Sequence, residues 1–335
     1  MRLVTARRFL AVLALLSFLK VLKDFTWWQG LYDTLYCYAK IHLRNLLMTG
    51  HFKQQFVQKE VIVDDTDGET SVVWWGRRAL QTSKPTGDKI LWVILPGGMR
   101  AGDSFYTSEA VGKLVHGEED WCVFHNPGIV NTVLSHPPAL VDTKYLECFL
   151  HRSREKYDRI ILLGFSAGGM LSVAASKFSD KTVTIHSPDI IRETFEKQRA
   201  DGFLDILFAL SLYGTMKRSG AFSRYKPHSP WAWLEGFKWM KRYTERVFQR
   251  PWHDMENLWS CRNIIVDAAE SGTKLNVLRV VSENDPIVPF STIDVTASKK
   301  ALTKCLVLKR GGHCTVPNPS IEPIRKHAMS KIVSS

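Results

Sequence analysis

Three short stretches of this chain carry residue types that together do acyl-transfer chemistry. The first is Gly164-Phe165-Ser166-Ala167-Gly168-Gly169. It fits the G-x-S-x-G pattern, in which a serine sits on a tight strand-to-helix turn and small neighbours prevent backbone collision. The apolar run Ile160-Ile161-Leu162-Leu163 precedes it and a helix-like run follows. That context aims a serine hydroxyl out of a sheet and sets it at a helix N-terminus, where backbone N–H groups can hold an oxyanion. Serine is a weak nucleophile by itself, so a base and an orienting acid are needed. In a turn of this type they follow in the order serine, acid, histidine. Asp285, in Ser282-Glu283-Asn284-Asp285-Pro286, comes directly after a strand-like run and is the expected acid. Glu283 is its local rival and Asp189 its distant one. His313, in Arg310-Gly311-Gly312-His313-Cys314, follows the last strand-like run and is the expected base, with His186 as fallback. The oxyanion donors are expected from the N–H of Ala167 and from Gly98, with Met99 as the alternative to Gly98. No metal or organic cofactor is implied.

The elements that must position these residues alternate. Strand-like runs at Ile90–Leu95, Trp121–Phe124, Arg159–Leu163, Lys181–His186, Leu275–Val281 and Cys305–Leu308 are interleaved with helix-like sequence, as at Tyr145–Arg154 and Ala167–Phe178. This rhythm predicts an α/β architecture: a mostly parallel central sheet with helices on both faces. Val61–Asp65 and Ser71–Trp75, separated by Asp67-Gly68, predict an antiparallel hairpin ahead of it. From Pro188 to Cys261 the rhythm breaks into helix-like sequence, which predicts a helical cap insertion over about 188–261. Within it Ser229-Pro230 is a helix start. Trp233, Leu234, Phe237, Met240, Tyr243, Val247 and Phe248 then fall on one face, and Lys238, Arg242, Glu245 and Arg246 on the other. Such a helix is buried on one side, covers the site, or faces a membrane.

Composition excludes some classes. With 335 residues, 45% hydrophobic and 23% charged, the chain is long enough for one α/β domain with an insertion. The net charge of +12 is concentrated: Lys217–Arg250 holds nine Lys or Arg and two acids, a contribution of +7. No nucleic-acid motif accompanies it, so a phosphate-bearing lipid surface is the better match than nucleic acid. Six cysteines without C-x-x-C spacing read as free thiols. At the N-terminus, Arg2, Arg7 and Arg8 precede an apolar run, Phe9–Leu19, then Lys20-Val21-Leu22-Lys23; as a helix Phe9–Leu22 spans about 21 Å against a bilayer core of about 30 Å. A short membrane anchor is expected, with an interfacial helix or a signal peptide as alternatives. The expected organisation is an anchor and helical lead-in over 1–56 and a hydrolase domain over 57–335.

In their order, Leu95-Pro96-Gly97-Gly98, Val123-Phe124-His125-Asn126-Pro127-Gly128, Gly164–Leu171, Asn284–Pro289 and Gly311-Gly312-His313 resemble the membrane-anchored ABHD proteins of the α/β-hydrolase superfamily. The resemblance covers roughly residues 60–330. It implies the α/β-hydrolase fold, one N-terminal anchor on a membrane such as the endoplasmic reticulum, and esterase or phospholipase action on acyl lipids through Ser166, Asp285 and His313. Two departures stand out. Where that family has Asn-x-Arg-Gly, this chain has His125-Asn126-Pro127-Gly128, and none of its eleven histidines begins an H-x-x-x-x-D motif. An acyltransferase or thioesterase with the same triad, and a non-catalytic binding protein on the same fold, are the alternative readings.

Overall fold

The computed structural model describes residues 56–63, 70–76, 88–97, 105–117, 119–126, 141–191, 193–194 and 260–330, with single residues and short runs between 213 and 251. The expected anchor over 9–22 and most of the expected cap lie outside the described residues. Eight strands form one sheet: β1 Phe56–Val63, β2 Thr70–Gly76, β3 Ile90–Leu95, β4 Asp120–His125, β5 Arg159–Phe165, β6 Lys181–Ile185, β7 Leu275–Ser282 and β8 Leu302–Leu308, in the order β1-β2-β4-β3-β5-β6-β7-β8. β2 runs antiparallel to β1 and to β4, and every pairing from β4 to β8 is parallel. Parallel neighbours need crossovers. They include α1 Phe105–Leu114 between β3 and β4, α2 Lys144–Ser153 between β4 and β5, and α3 Ala167–Ala174 between β5 and β6. Further along, α4 Arg262–Ser271 leads into β7, α5 Val295–Ala301 joins β7 to β8, and α6 Asn318–Met329 ends the described chain.

The central strands are apolar on both faces because both faces are covered. Leu91, Val93 and Leu95 of β3 pack with Leu162 of β5 and with Phe149 and Leu150 of α2. Trp92 and Ile94 point the other way, into a core with Tyr106 and Leu114 of α1, Phe165 of β5 and Ile324 of α6. The period-2 alternation of one strand thus fills two cores.

The structure differs from the sequence expectations at several ends. β1 starts at Phe56, inside the expected lead-in and five residues ahead of Val61. β8 starts at Leu302 rather than Cys305: it is an edge strand, and Thr303 and Lys304 are exposed there, which interrupts the apolar run. The helix expected over Ala167–Phe178 gives way after Ala174 to a 3₁₀ turn at Ser176–Phe178. Leu234, expected on the apolar face of the cap helix, is exposed. Cys122, Cys261 and Cys314 are buried free thiols, whereas Cys148 is exposed and Cys305 half-buried. Among the described residues, no helix is long and apolar enough to cross a membrane.

Candidate active site

Ser166 stands between β5 and α3 with φ 49° and ψ −122°, a left-handed conformation that costs a residue with a Cβ on the order of 1–3 kcal/mol. The surroundings impose it. Ser166 N–H donates to Ile185 O of β6 at 3.0 Å. On the helix side, a Cβ on Gly168 would lie 2.2 Å from Leu95 O, so only glycine lets α3 start this close to β3. On the loop side, a Cβ on Gly97 would lie 2.7 Å from Ser166 Cβ. Gly97 is held there by Tyr106, whose hydroxyl accepts from Gly97 N–H at 2.9 Å and donates to Gly97 O at 3.2 Å. That N–H is therefore engaged, and an oxyanion donor from this loop has to come from beyond it. Gly98 and Met99, the expected donors, lie outside the described residues. Ala167, the other expected donor, is the first residue of α3 and is buried directly after the serine.

The expected acid and base meet. His313 Nδ1 donates to both carboxylate oxygens of Asp285, at 3.0 and 2.9 Å, and both residues are buried. Asp285 Oδ1 also accepts from Ile287 N–H and Val288 N–H, each at 2.8 Å, which fixes the carboxylate in its turn. Burial, the largest influence on His313, disfavours its charged form, but Asp285, assisted by Cys314, outweighs it and raises the pKa above 6.5. An imidazolium forming here is thus stabilised, as a base taking a serine proton requires.

The two rival acids and the fallback base are occupied otherwise. Glu283 is exposed. Asp189 forms a buried ion pair with Arg279 at 2.6 Å, and its Oδ2 accepts from Asp294 N–H at 2.7 Å. Arg279 Nη1 also donates to Ser298 Oγ and Nη2 to Ser187 O, so this pair ties β6, β7 and α5 together. His186 lies beside His313, ring centroids 6.1 Å apart, with its Nε2 2.8 Å from Ser282 Oγ. Burial lowers its pKa to about 4, against a raising influence from Asp285, so it stays neutral.

Some positioning residues escaped the sequence reading. Asn284 Oδ1 accepts from Gly311 N–H at 3.0 Å and Gly312 N–H at 3.2 Å, clamping the histidine loop to the acid loop. Ser282 Oγ sits 2.1 Å from where a Cβ on Gly311 would be, so the clamp closes only on glycine. On the far side of His313, Val316 N–H donates to Glu109 and Lys113 donates to Val316 O, both from α1. Asn284 adjoins the acid, and that adjacency was the only signal available. Ser166, Asp285 and His313 all leave the C-terminal ends of parallel strands, the edge where sites in such sheets are built. His125 of the family-like His125-Asn126 motif is structural: Nδ1 donates to Val72 O at 3.0 Å and the ring packs on Trp74.

No family model and no curated protein matches the sequence. Solved structures do. The chain is similar to the Pyrococcus furiosus esterase Pf2001 in two crystal forms, with 13% identity over 82% of this chain, 93% and 91% of the esterase, and TM-scores of 0.51 and 0.52. It is similar also to DcsB in complex with its substrate analogue, with 14% identity over 83% of this chain and 100% of DcsB and a TM-score of 0.50. At such identities the likeness carries the fold: this chain has the α/β-hydrolase fold, shared with esterases.

Proposed function

We propose that this α/β-hydrolase chain is a serine-dependent carboxylic-ester hydrolase acting through Ser166, Asp285 and His313. The observation that carries the reading is the two-oxygen grip of Asp285 on His313 Nδ1, on the same sheet edge as a serine held in a strained turn. In this mechanism Ser166 Oγ attacks the ester carbonyl carbon and its proton passes to His313 Nε2. Asp285 holds the ring and stabilises the imidazolium. The N–H of Ala167, with that of Gly98, receives the tetrahedral oxyanion. The C–O bond to the alcohol breaks as His313 returns the proton to the leaving oxygen, leaving an acyl group on Ser166. Water, deprotonated by His313, then releases the carboxylic acid and restores the serine.

The substrate class in this reading is an acyl lipid, a phospholipid among them. The support is sequence chemistry: the apolar, basic N-terminus and the tryptophan-rich, cationic segment 217–259. Residues 1–28 serve as a membrane anchor in the same reading, and their deletion should release the protein from carbonate-washed membranes.

Ser166→Ala tests the chemistry. It should abolish labelling by a fluorophosphonate probe and lower p-nitrophenyl ester hydrolysis by at least about 10⁴-fold, with an unchanged thermal transition. Wild-type turnover in that variant would dismiss the assignment.

A further inference from the structure

We infer that the exposed stripe Trp231, Leu234, Lys238, Arg242 and Arg246 is a docking surface for an anionic lipid bilayer. Trp231 is 65% exposed and Leu234 52%, the two largest apolar side chains on the described surface. They flank and ride one ordered turn. Ala232–Glu235 is a 3₁₀ helix, Ala232 beneath it is buried, Ser229 Oγ accepts from Trp231 N–H at 3.1 Å, and Leu234 N–H donates to Trp231 O at 2.9 Å. The backbone thus presents an indole and an isobutyl group to solvent from a fixed turn, where burying them would otherwise be favoured.

The charges continue the line. Lys238, Arg242 and Arg246 are helical and exposed, and their spacing of four residues keeps the three on one helix face. Glu235 pairs with Arg242, leaving an excess of cations along the stripe. Indole and leucine next to lysine and arginine match a bilayer interface, where apolar groups enter the acyl boundary and cations meet headgroup phosphates. Side chains that project from a turn need no complementary groove in a fluid bilayer, whereas an acidic protein partner would have to supply one.

The stripe belongs to an excursion rooted at the catalytic edge. Ile190 and Ser260 form a β-bridge, and Cys261 N–H donates to Asp189 O at 3.0 Å, a few residues beyond His186. A bilayer held by this excursion is held by a segment that leaves and rejoins the sheet beside Ser166. The inference rests on the ester-lipid reading above for its purpose, but it is tested independently of it.

The experiment uses the full chain and co-sedimentation with vesicles of phosphatidylcholine alone or with about 30% phosphatidylglycerol, at low and high NaCl. The apolar, basic N-terminal segment contributes to binding on both vesicles and to the anionic increment, so what is read is how far the increment falls on substitution. The wild type should bind anionic vesicles at least about tenfold more tightly than neutral ones, and salt should erase the difference. Lys238→Glu/Arg242→Glu/Arg246→Glu should lower that preference by at least about tenfold, since each cation near such a surface is worth about fivefold. Trp231→Ser/Leu234→Ser should weaken binding to both vesicle types by about fivefold or more. Thermal unfolding and soluble-ester hydrolysis of both variants should match the wild type. An absent anionic preference, or one that survives charge reversal in a folded variant, overturns the inference and leaves an acidic protein as the occupant to seek. A wild type that binds as expected but cleaves no ester overturns the catalytic reading instead.

Discussion

The serine turn and the acid–base loops reach the same sheet edge by opposite means. Ser166 is placed by exclusion: Gly168 lies against Leu95 O and Gly97 against Ser166 itself, with no room for another carbon. Asp285 and His313 are placed by attachment: backbone N–H groups from Ile287 and Val288 hold the carboxylate, and Asn284 holds Gly311 and Gly312. Exclusion dominates at the serine, where a single added methyl on Gly168 meets backbone, although the Tyr106 hydroxyl also holds Gly97. Attachment dominates at the acid and base and fails when one polar atom is removed, although Gly311 against Ser282 is a point of exclusion there too. The nucleophile side should therefore break in stability and the acid–base side in rate.

The largest effect should come from Gly168→Ala. Its methyl meets backbone oxygens of Leu95 and Pro96, which cannot rotate away. A loss of about 3 kcal/mol, a Tm lower by roughly 4 °C, and loss of activity are expected together by thermal scanning and ester assay. A stable, active variant would show that α3 can slide, and the exclusion argument would fail.

Asp285→Asn should leave the Tm within a few degrees and cut kcat by about 10³–10⁴-fold. It also has a pH signature. The base works neutral, and Asp285 raises the pKa of His313. Wild-type kcat/KM should therefore still be rising with pH above 6.5. With the carboxylate gone, burial is opposed by Cys314 alone and the limb should move to lower pH. A limb that stays put would detach Asp285 from His313. Asn284→Ala should do less, about a tenfold drop in kcat with KM nearly unchanged, because it loosens the histidine loop without touching substrate. A change confined to KM would contradict that role.

The smallest effect concerns acid stability. His327 of α6 is buried with Nε2 donating to Thr182 O at 3.1 Å, and burial, seconded by Lys181, lowers its pKa to about 4. A depressed folded pKa means the unfolded chain binds the proton first, so stability is full above pH 6.5 and is lost as pH falls through about 4. His327→Gln keeps a donor and cannot titrate. Its Tm should fall less steeply than that of the wild type between pH 6.5 and 4, and parallel curves would refute the sign.

The parts legible in the sequence were those carried by local chemistry. β3 reads as a strand from Ile90 to Leu95 because both its faces are buried, and its bounds are as expected. The order of serine, aspartate and histidine follows from strand ends, and the structure brings Asp285 and His313 into contact. What escaped depends on tertiary neighbours. α6 carries Pro323 within it, which reads as a breaker, yet the helix is packed through Ile324 into the core. α1 buries Tyr106, Ala110 and Leu114 on one face, but Glu109 and Lys113 also reach Val316 across the fold, a contact that no local pattern announces. Asp189 reads as a candidate acid by its place after a strand, but its partner Arg279 comes from a strand far along the chain.

That last pairing has a consequence for how the molecule can vary. With Asp189 bolted to Arg279 and Asp294, and Ile190 bridged to Ser260, the chain leaves and re-enters the sheet through one doorway. A loop whose two feet already touch adds little closure entropy however long it grows, since each doubling costs only about 0.6 kcal/mol. The excursion between Ile190 and Ser260 is in that sense a cassette. A short turn that keeps the buried Ile191 and Thr194 should leave the eight strands standing, and a foreign segment should be graftable on the same two feet.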